Sequence, residues 1–272
     1  MAMSLIHING ADLFVEEFGT GDPVIFTHAL FFSGRMYERQ IERIAARYRC
    51  ITVDWRGMGR SSKPLGGYDV DNLCHDVIGV ADRLGLDRFH WVGMSVGGVT
   101  GIRIAAQMPQ RIRSLAIGGA SAEAEPIEKV VKYEKLLLDG FARDPASVVD
   151  GLLPILYGEP FRADPLRADL LARERELILS NDGPAVARAS APILRRVDIR
   201  HMLPHVRSPT YVFCGALDGA NPPEKSRTIA AGISGSLLEV FDGVGHQPNV
   251  EAPGLLADRL LEHFDRASRA TP

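Results

Sequence analysis

The stretch that most constrains this 272-residue chain is Trp91-Val92-Gly93-Met94-Ser95-Val96-Gly97-Gly98. Residues 89–92 have the apolar character of a short buried strand. From 99 to 108 the small and apolar spacing is that of a buried helix. Gly-x-Ser-x-Gly joins the two. A chain that passes from strand to helix in so few residues bends sharply, and a Cβ at either flanking glycine would meet the crossing strand and helix. The turn holds the serine in a strained backbone and pushes its hydroxyl out of the sheet. It does so at a helix start, where free N–H groups and the helix dipole favour negative charge. Glycine and serine are common, so the same residues alone also suit a tight turn with no chemistry.

Strand and helix alternate on both sides of this turn. Residues 4–9 and 12–18 read as two strands joined at Asn9-Gly10, a pair that suits a type I′ hairpin. Strands follow at 24–27, 50–54 and 114–117, with helices at about 36–47 and 70–85. From 122 to 197 only helical character appears, at 129–141, 145–156, 165–179 and 184–194. Several of these begin beside a proline, as helix starts prefer. Alternation resumes with strands at 210–214 and 237–241 and helices near 223–232 and about 252–266. The expected organisation is an α/β sheet domain, 1–121 and 198–272, interrupted by a helical insert, 122–197. Such parallel sheets bind ligands beyond the carboxyl ends of their strands. The serine turn, the apolar loop 28–34 and the loops after the last two strands fall at that edge. An insert rooted there would cover the site and exclude water.

A serine hydroxyl is a weak nucleophile and needs a base, and the base needs an orienting acid. Among eight histidines, His246 stands apart in Gly243-Val244-Gly245-His246-Gln247-Pro248, straight after the last strand. Glycines before it let the loop curl over the sheet edge. His28 also ends a strand and reads as a residue bonding backbone in its own loop. For the acid, Asp218 ranks first, at the end of a strand and loop; Asp242 and Asp54 also follow strands and stay open. Phe31, Met94 and His28 are candidate pocket residues, with Phe32 and Trp55 beside them. Arg195 and Arg196, near the exit of the insert, suit a substrate carboxylate or solvated helix-end charges, and the second reading is preferred. The glycines of 55–62 read as a turn, because neither Gly-x-x-x-x-Gly-Lys nor Gly-x-Gly-x-x-Gly occurs there.

A net charge of −3 with scattered Lys and Arg gives no surface suited to nucleic acid or an anionic membrane. No apolar stretch approaches transmembrane length, and no basic region followed by an apolar run marks a signal peptide. Cys50, Cys74 and Cys214 are far apart and odd in number. They read as small core residues of a reduced, cytoplasmic protein. The expected partner is a small-molecule substrate, with no metal or organic cofactor, and a homodimer is compatible with the chain.

Ser95, Asp218 and His246 occur in the order of the α/β-hydrolase arrangement. Together with Asp54-Trp55-Arg56-Gly57-Met58-Gly59-Arg60-Ser61, Gly215-Ala216-Leu217-Asp218 and Glu251-Ala252-Pro253, they make the chain resemble the α/β-hydrolase superfamily over nearly its whole length. The resemblance implies the α/β class and an α/β-hydrolase fold, a mostly parallel eight-stranded sheet with helices on both faces and an inserted helical lid. It implies a Ser95-Asp218-His246 triad and an oxyanion hole from the backbone N–H groups of Val96 and Leu30. Relatives usually have His-Gly where this chain has His28-Ala29. The serine speaks against haloalkane dehalogenase and epoxide hydrolase chemistry, which uses an aspartate at this apex. The text around the serine is most similar to enol-lactonases and small carboxylesterases, so hydrolysis of a small ester or lactone through an acyl-enzyme is expected. Two alternatives stay open. One is carbon–carbon hydrolysis of a vinylogous diketone, whose enzymes often carry asparagine where this chain has Met94. The other is a ligand-binding receptor with little turnover. An imidazole base predicts activity that falls on acidification.

Overall fold

The computed structural model describes residues 2–270. Its strands are β1 (Ala2–Ile8), β2 (Ala11–Phe18), β3 (Asp22–Thr27), β4 (Tyr48–Val53), β5 (Phe89–Met94), β6 (Ile112–Gly118), β7 (Thr210–Gly215) and β8 (Leu237–Phe241). They form one sheet in the order β1-β2-β4-β3-β5-β6-β7-β8. β1 pairs with β2, and β2 with β4, in antiparallel fashion; every later pairing is parallel. Asn9 and Gly10 have φ of 51° and 73°, the two positive values a type I′ turn requires. β5 and β7 are buried at every position, which is why their sequences run apolar without alternation.

Helices α1 (Glu38–Ile44), α2 (Val70–Arg83) and α3 (Val96–Gln107) lie among the first six strands in sequence. Helices α4 (Ile127–Arg143), α5 (Pro145–Leu156), α6 (Glu159–Ala163), α7 (Ala168–Leu179) and α8 (Gly183–Leu194) separate β6 from β7. Helices α9 (Pro223–Gly232), α10 (Pro248–Glu251) and α11 (Pro253–Ala270) complete the chain. Aspartates start three of them: the Asp69, Asp144 and Asp182 carboxylates accept the N–H of Asn72, Ser147 and Ala185. One core, around Val77, Trp91, Ile102 and Leu115, sits under α2 and α3. The other, around Phe26, Val92, Phe213 and Phe264, lies under α1 and α11. It runs on into the helical segment through Leu137, Val149 and Leu156.

Two helices differ from the sequence expectation. The one expected at 165–179 opens as a 3-10 turn at Pro165–Arg167 before continuing as α7, and the short α6 ahead of it was not expected. The Asp164 carboxylate accepts the N–H of Leu166 and starts that turn afresh. The last helix, expected at about 252–266, begins at Pro253 and runs on to Ala270; the short α10 before it is set apart at Ala252 (φ −134°, ψ 53°), because Pro253 excludes the residue before it from helical geometry. The three cysteines are buried and unpaired. Burial pushes the Cys50 and Cys74 thiols up to about 12 and raises Cys214 as well, so none is a reactive thiolate. Among the described residues no helix is long and apolar enough to cross a membrane.

Candidate active site

Ser95 stands between the end of β5 and the start of α3, with φ 53° and ψ −113°. L-residues avoid such a backbone unless their surroundings impose it. Here the Ser95 N–H donates to the Gly118 carbonyl at 2.8 Å, and its own carbonyl accepts from Val99 at 3.1 Å. A Cβ on Gly93 would lie 2.2 Å from the Gly97 carbonyl oxygen, and one on Gly97 would lie 2.4 Å from that of Thr27. The glycines therefore meet the steric demand read from the sequence. Val96 opens α3, so its N–H has no acceptor within the helix.

His246 Nδ1 lies 2.8 Å from Asp218 Oδ2, and both side chains are buried. A carboxylate only accepts, so Nδ1 carries the proton, and in the neutral ring the lone pair is then on Nε2. The other Asp218 oxygen, Oδ1, accepts from the backbone N–H of Ala220 at 2.9 Å and of Asn221 at 2.7 Å. These bonds fold the loop back on Asp218 ahead of α9, whose start at Pro223 has no side-chain cap. Gly119 backs this pair with φ +49°; a Cβ there would stand 3.0 Å from Asp218 Oδ2 and from His246 Nδ1. Asn221 Nδ2 donates to the Gly119 carbonyl at 2.8 Å, so the loops after β6, β7 and β8 converge on one point. Ser95 and His246 line the same cavity. No hydroxyl–imidazole hydrogen bond joins them among the described residues, and in unliganded sites such bonds often tighten only around substrate.

The other two acids go elsewhere. Asp242 is exposed. Asp54 accepts the N–H of Gly34 at 2.7 Å and of Arg60 at 2.9 Å, tying loop 28–34 to the loop after β4. In that loop His28 is wholly buried: Nε2 accepts from the Trp55 N–H at 2.8 Å, and Nδ1 donates to the Ala29 carbonyl at 2.8 Å. Burial lowers its pKa, outweighing the charge of Asp54 and the Ala29 bond, so the ring is neutral scaffold. Ala29 is not among the positive-φ residues. Phe31 carries that conformation instead (φ 75°), which explains why alanine is tolerated at 29.

Leu30, Phe31, Val96, Val99, Leu152 and Leu156 give the cavity its apolar wall. Two pocket assignments need correction. His28 lies behind the loop, held by Trp55, and Met94 points into the sheet core, where a Cβ on Gly118 would come 2.1 Å from its sulfur. Arg196 also departs from its preferred reading. It lines the cavity, with Nη2 2.7 Å from Glu125 Oε1, while Arg195 faces outward and pairs with Glu134. Lys129 Nζ lies 2.9 Å from the second Glu125 oxygen. Burial pushes the Glu125 carboxyl up, but Lys129 and Arg196 outweigh it and hold the group below its ordinary value. Glu125 precedes α4 and Lys129 lies in its first turn, four residues on; that spacing was the only sequence signal of this patch.

Glu251 fastens the histidine loop. Its carboxylate accepts the backbone N–H of Gly158 and Gly245, each at 2.9 Å, and of Gln247 at 3.2 Å. The His246 N–H donates to the Leu156 carbonyl at 2.8 Å, so the end of α5 is part of the same scaffold. Among the described residues no group of three or more His, Cys, Asp or Glu side chains is placed to hold a metal ion.

This strand order, with a serine on the turn after β5 and an Asp–His pair at the same sheet edge, defines the α/β hydrolases. The chain belongs to that family: its model, described as alpha/beta hydrolase fold, matches residues 22–253. In sequence the chain is similar to a putative carbamate hydrolase RutD of Azorhizobium caulinodans, 26% identical over 95% of this chain and 97% of that protein. It is also similar to 3-oxoadipate enol-lactonase 2 of Acinetobacter baylyi, 29% identical over 87% and 86% of the two chains. In structure it resembles a thermophilic esterase from Thermogutta terrifontis, with a TM-score of 0.89, 25% identity and 97% of each chain covered. The chain is accordingly a hydrolase-family protein of this fold.

Proposed function

We propose that this protein hydrolyses a carboxylic ester or lactone of a small molecule through an acyl-enzyme on Ser95. The observation that carries the reading is the buried 2.8 Å contact between Asp218 and His246, opening on the cavity that Ser95 lines. With Nδ1 holding its proton against Asp218, His246 Nε2 takes the Ser95 proton as Oγ attacks the carbonyl carbon. Charge develops on the carbonyl oxygen, and the N–H groups of Val96 and Leu30 are the donors assigned to it. One such donor is worth about 3 kcal/mol in the transition state. His246 then gives the proton to the leaving alkoxide. A water, deprotonated by the same nitrogen, attacks the acyl carbon and frees Ser95. In this reading helices α4–α8 act as the lid, and the cavity's apolar wall receives the substrate body. Names of similar proteins, an enol-lactonase and an esterase, agree with cleavage at a carbonyl carbon.

The test is p-nitrophenyl acetate hydrolysis together with labelling by a fluorophosphonate. Turnover lost in Ser95→Ala, with the label found on Ser95 by mass spectrometry, supports the reading. Equal turnover in wild type and Ser95→Ala removes Ser95 as nucleophile. Tight ligand binding without turnover of any ester would make the protein a receptor on a hydrolase fold.

A further inference from the structure

We propose that Lys129 and Arg196 form an anion subsite in the cavity, and that the substrate carries a carboxylate in addition to the bond that is cut. The proposal rests on the hydrolase reading above and names the substrate class for that site. Both Glu125 oxygens face a cation: Oε1 accepts from Arg196 Nη2 at 2.7 Å, and Oε2 forms an ion pair with Lys129 Nζ at 2.9 Å without a hydrogen bond. Two cations against one carboxylate leave this patch of wall with a surplus positive charge. Hydrogen-bond donors are in surplus too. An ammonium has three N–H groups; one of Lys129 donates to the Ala220 carbonyl at 3.1 Å and the group faces Glu125 Oε2 as an ion pair, leaving at least one N–H over among the described contacts. The Arg196 side chain is only 9% exposed, and its Nε–H is buried with no acceptor.

A buried cation with an unmet donor is costly unless something answers it. The one acceptor left over, Glu125 Oε2, is buried and already faces Lys129, so a cationic ligand meets two like charges before it. A carboxylate finds both the surplus charge and the spare Lys129 N–H, since the Arg196 Nη atoms are held by Glu125 and the Ile193 carbonyl. Most of the remaining wall is apolar, which leaves the surplus charge weakly screened. Arg195, one residue earlier, shows the contrast. It pairs one-to-one with Glu134 and is largely exposed, so it has nothing left over to offer.

The experiment compares matched esters. For the acyl side, p-nitrophenyl hemiesters of the dicarboxylic acids from succinate to suberate are set against p-nitrophenyl alkanoates of equal length. For the leaving-group side, 4-acetoxybenzoate is set against its methyl ester. The readout is the ratio of kcat/KM, anionic over neutral. The expected ratio is about tenfold or more in one series, equivalent to one charge-assisted contact. Lys129→Met removes the surplus charge, leaves the buried Glu125–Arg196 pair intact, and is expected to collapse the ratio. Glu125→Gln adds to the positive charge and is expected to raise it. Neutral esters preferred throughout both series, or a ratio unmoved by both variants, overturns the subsite. If no ester is cut at all, the hydrolase reading fails separately, and the subsite is then read by calorimetry with glutarate. Binding present in wild type and lost in Lys129→Met sustains it; no glutarate binding overturns it.

Discussion

Acid is expected to destabilise this protein through two histidines that take no part in the proposed chemistry. His90, near the start of β5, and His263, on α11, are 0% and 2% exposed. His90 Nδ1 lies 2.8 Å from Ser114 Oγ, and Nε2 of each ring is buried without a partner. The rings of Phe264 and Tyr48 pack around them. Burial is the main cause of their low pKa. The charges of Arg113 and Arg88 add to it at His90, and those of Arg266 and His90 at His263; each falls from 6.5 to about 3. The folded value lies below the unfolded one, so this stability is intact above pH 6.5 and is lost as pH falls from there toward 3. At pH 5 the folded rings are still neutral, and the loss is set by the unfolded chain's proton uptake. One and a half pH units at 1.36 kcal/mol each give about 2 kcal/mol per histidine, or about 4 for the pair. Native domains have only about 5–15 kcal/mol to lose. Asp76, Glu174 and Glu251, raised by burial, act in the opposite direction on acidification, so wild type alone does not isolate the effect. His90→Asn and His263→Asn do, since asparagine carries an amide nitrogen near the place of Nδ1 and does not titrate. Urea unfolding at about pH 7.5 and pH 5 is expected to show each variant losing about 2 kcal/mol less than wild type. A gap between wild type and variants that is the same at both pH values would refute the reasoning.

Gly119→Ala places a methyl 3.0 Å from both Asp218 Oδ2 and His246 Nδ1, at a positive φ. Esterase kcat is expected to fall by about 10²-fold with an unchanged circular dichroism spectrum; full activity would mean that the pair tolerates displacement. Glu251→Gln leaves one carbonyl oxygen where a carboxylate received three N–H groups. Denaturant unfolding is expected to show a loss of about 1–3 kcal/mol, and kcat is expected to drop as the His246 loop loosens. Met94→Leu is a volume-conserving change in a core position and is expected to cost less than about 1.5 kcal/mol. It should leave preference among p-nitrophenyl ester chain lengths unchanged; a shifted preference would return Met94 to the pocket wall.

What the sequence made legible was local or was tied to a strand end. The turn around Ser95 was readable because Gly93 and Gly97 answer a clash that any chain would meet there. Asp218 and His246 were readable because parallel strands deliver their following loops to one edge, so position along the chain stands in for position in space. The misreadings have the opposite character. Met94 is next to the serine in sequence, yet the strand's pleat turns it into the core, while the cavity is walled by residues from seven separate segments. Arg196 looked like any basic residue at a helix end. What draws it inward is Glu125, seventy-one positions earlier, in the segment that leads into α4, which packs against α8. A charge has no periodicity to betray its partner, so a buried ion pair between distant segments leaves no local trace. The same holds for Glu251, whose three acceptor contacts reach Gly158 across ninety-three residues of chain. The cavity wall therefore depends on the least legible contacts, because the residues of α4, α5 and α8 meet the loops around Leu30 and Val96 only in three dimensions.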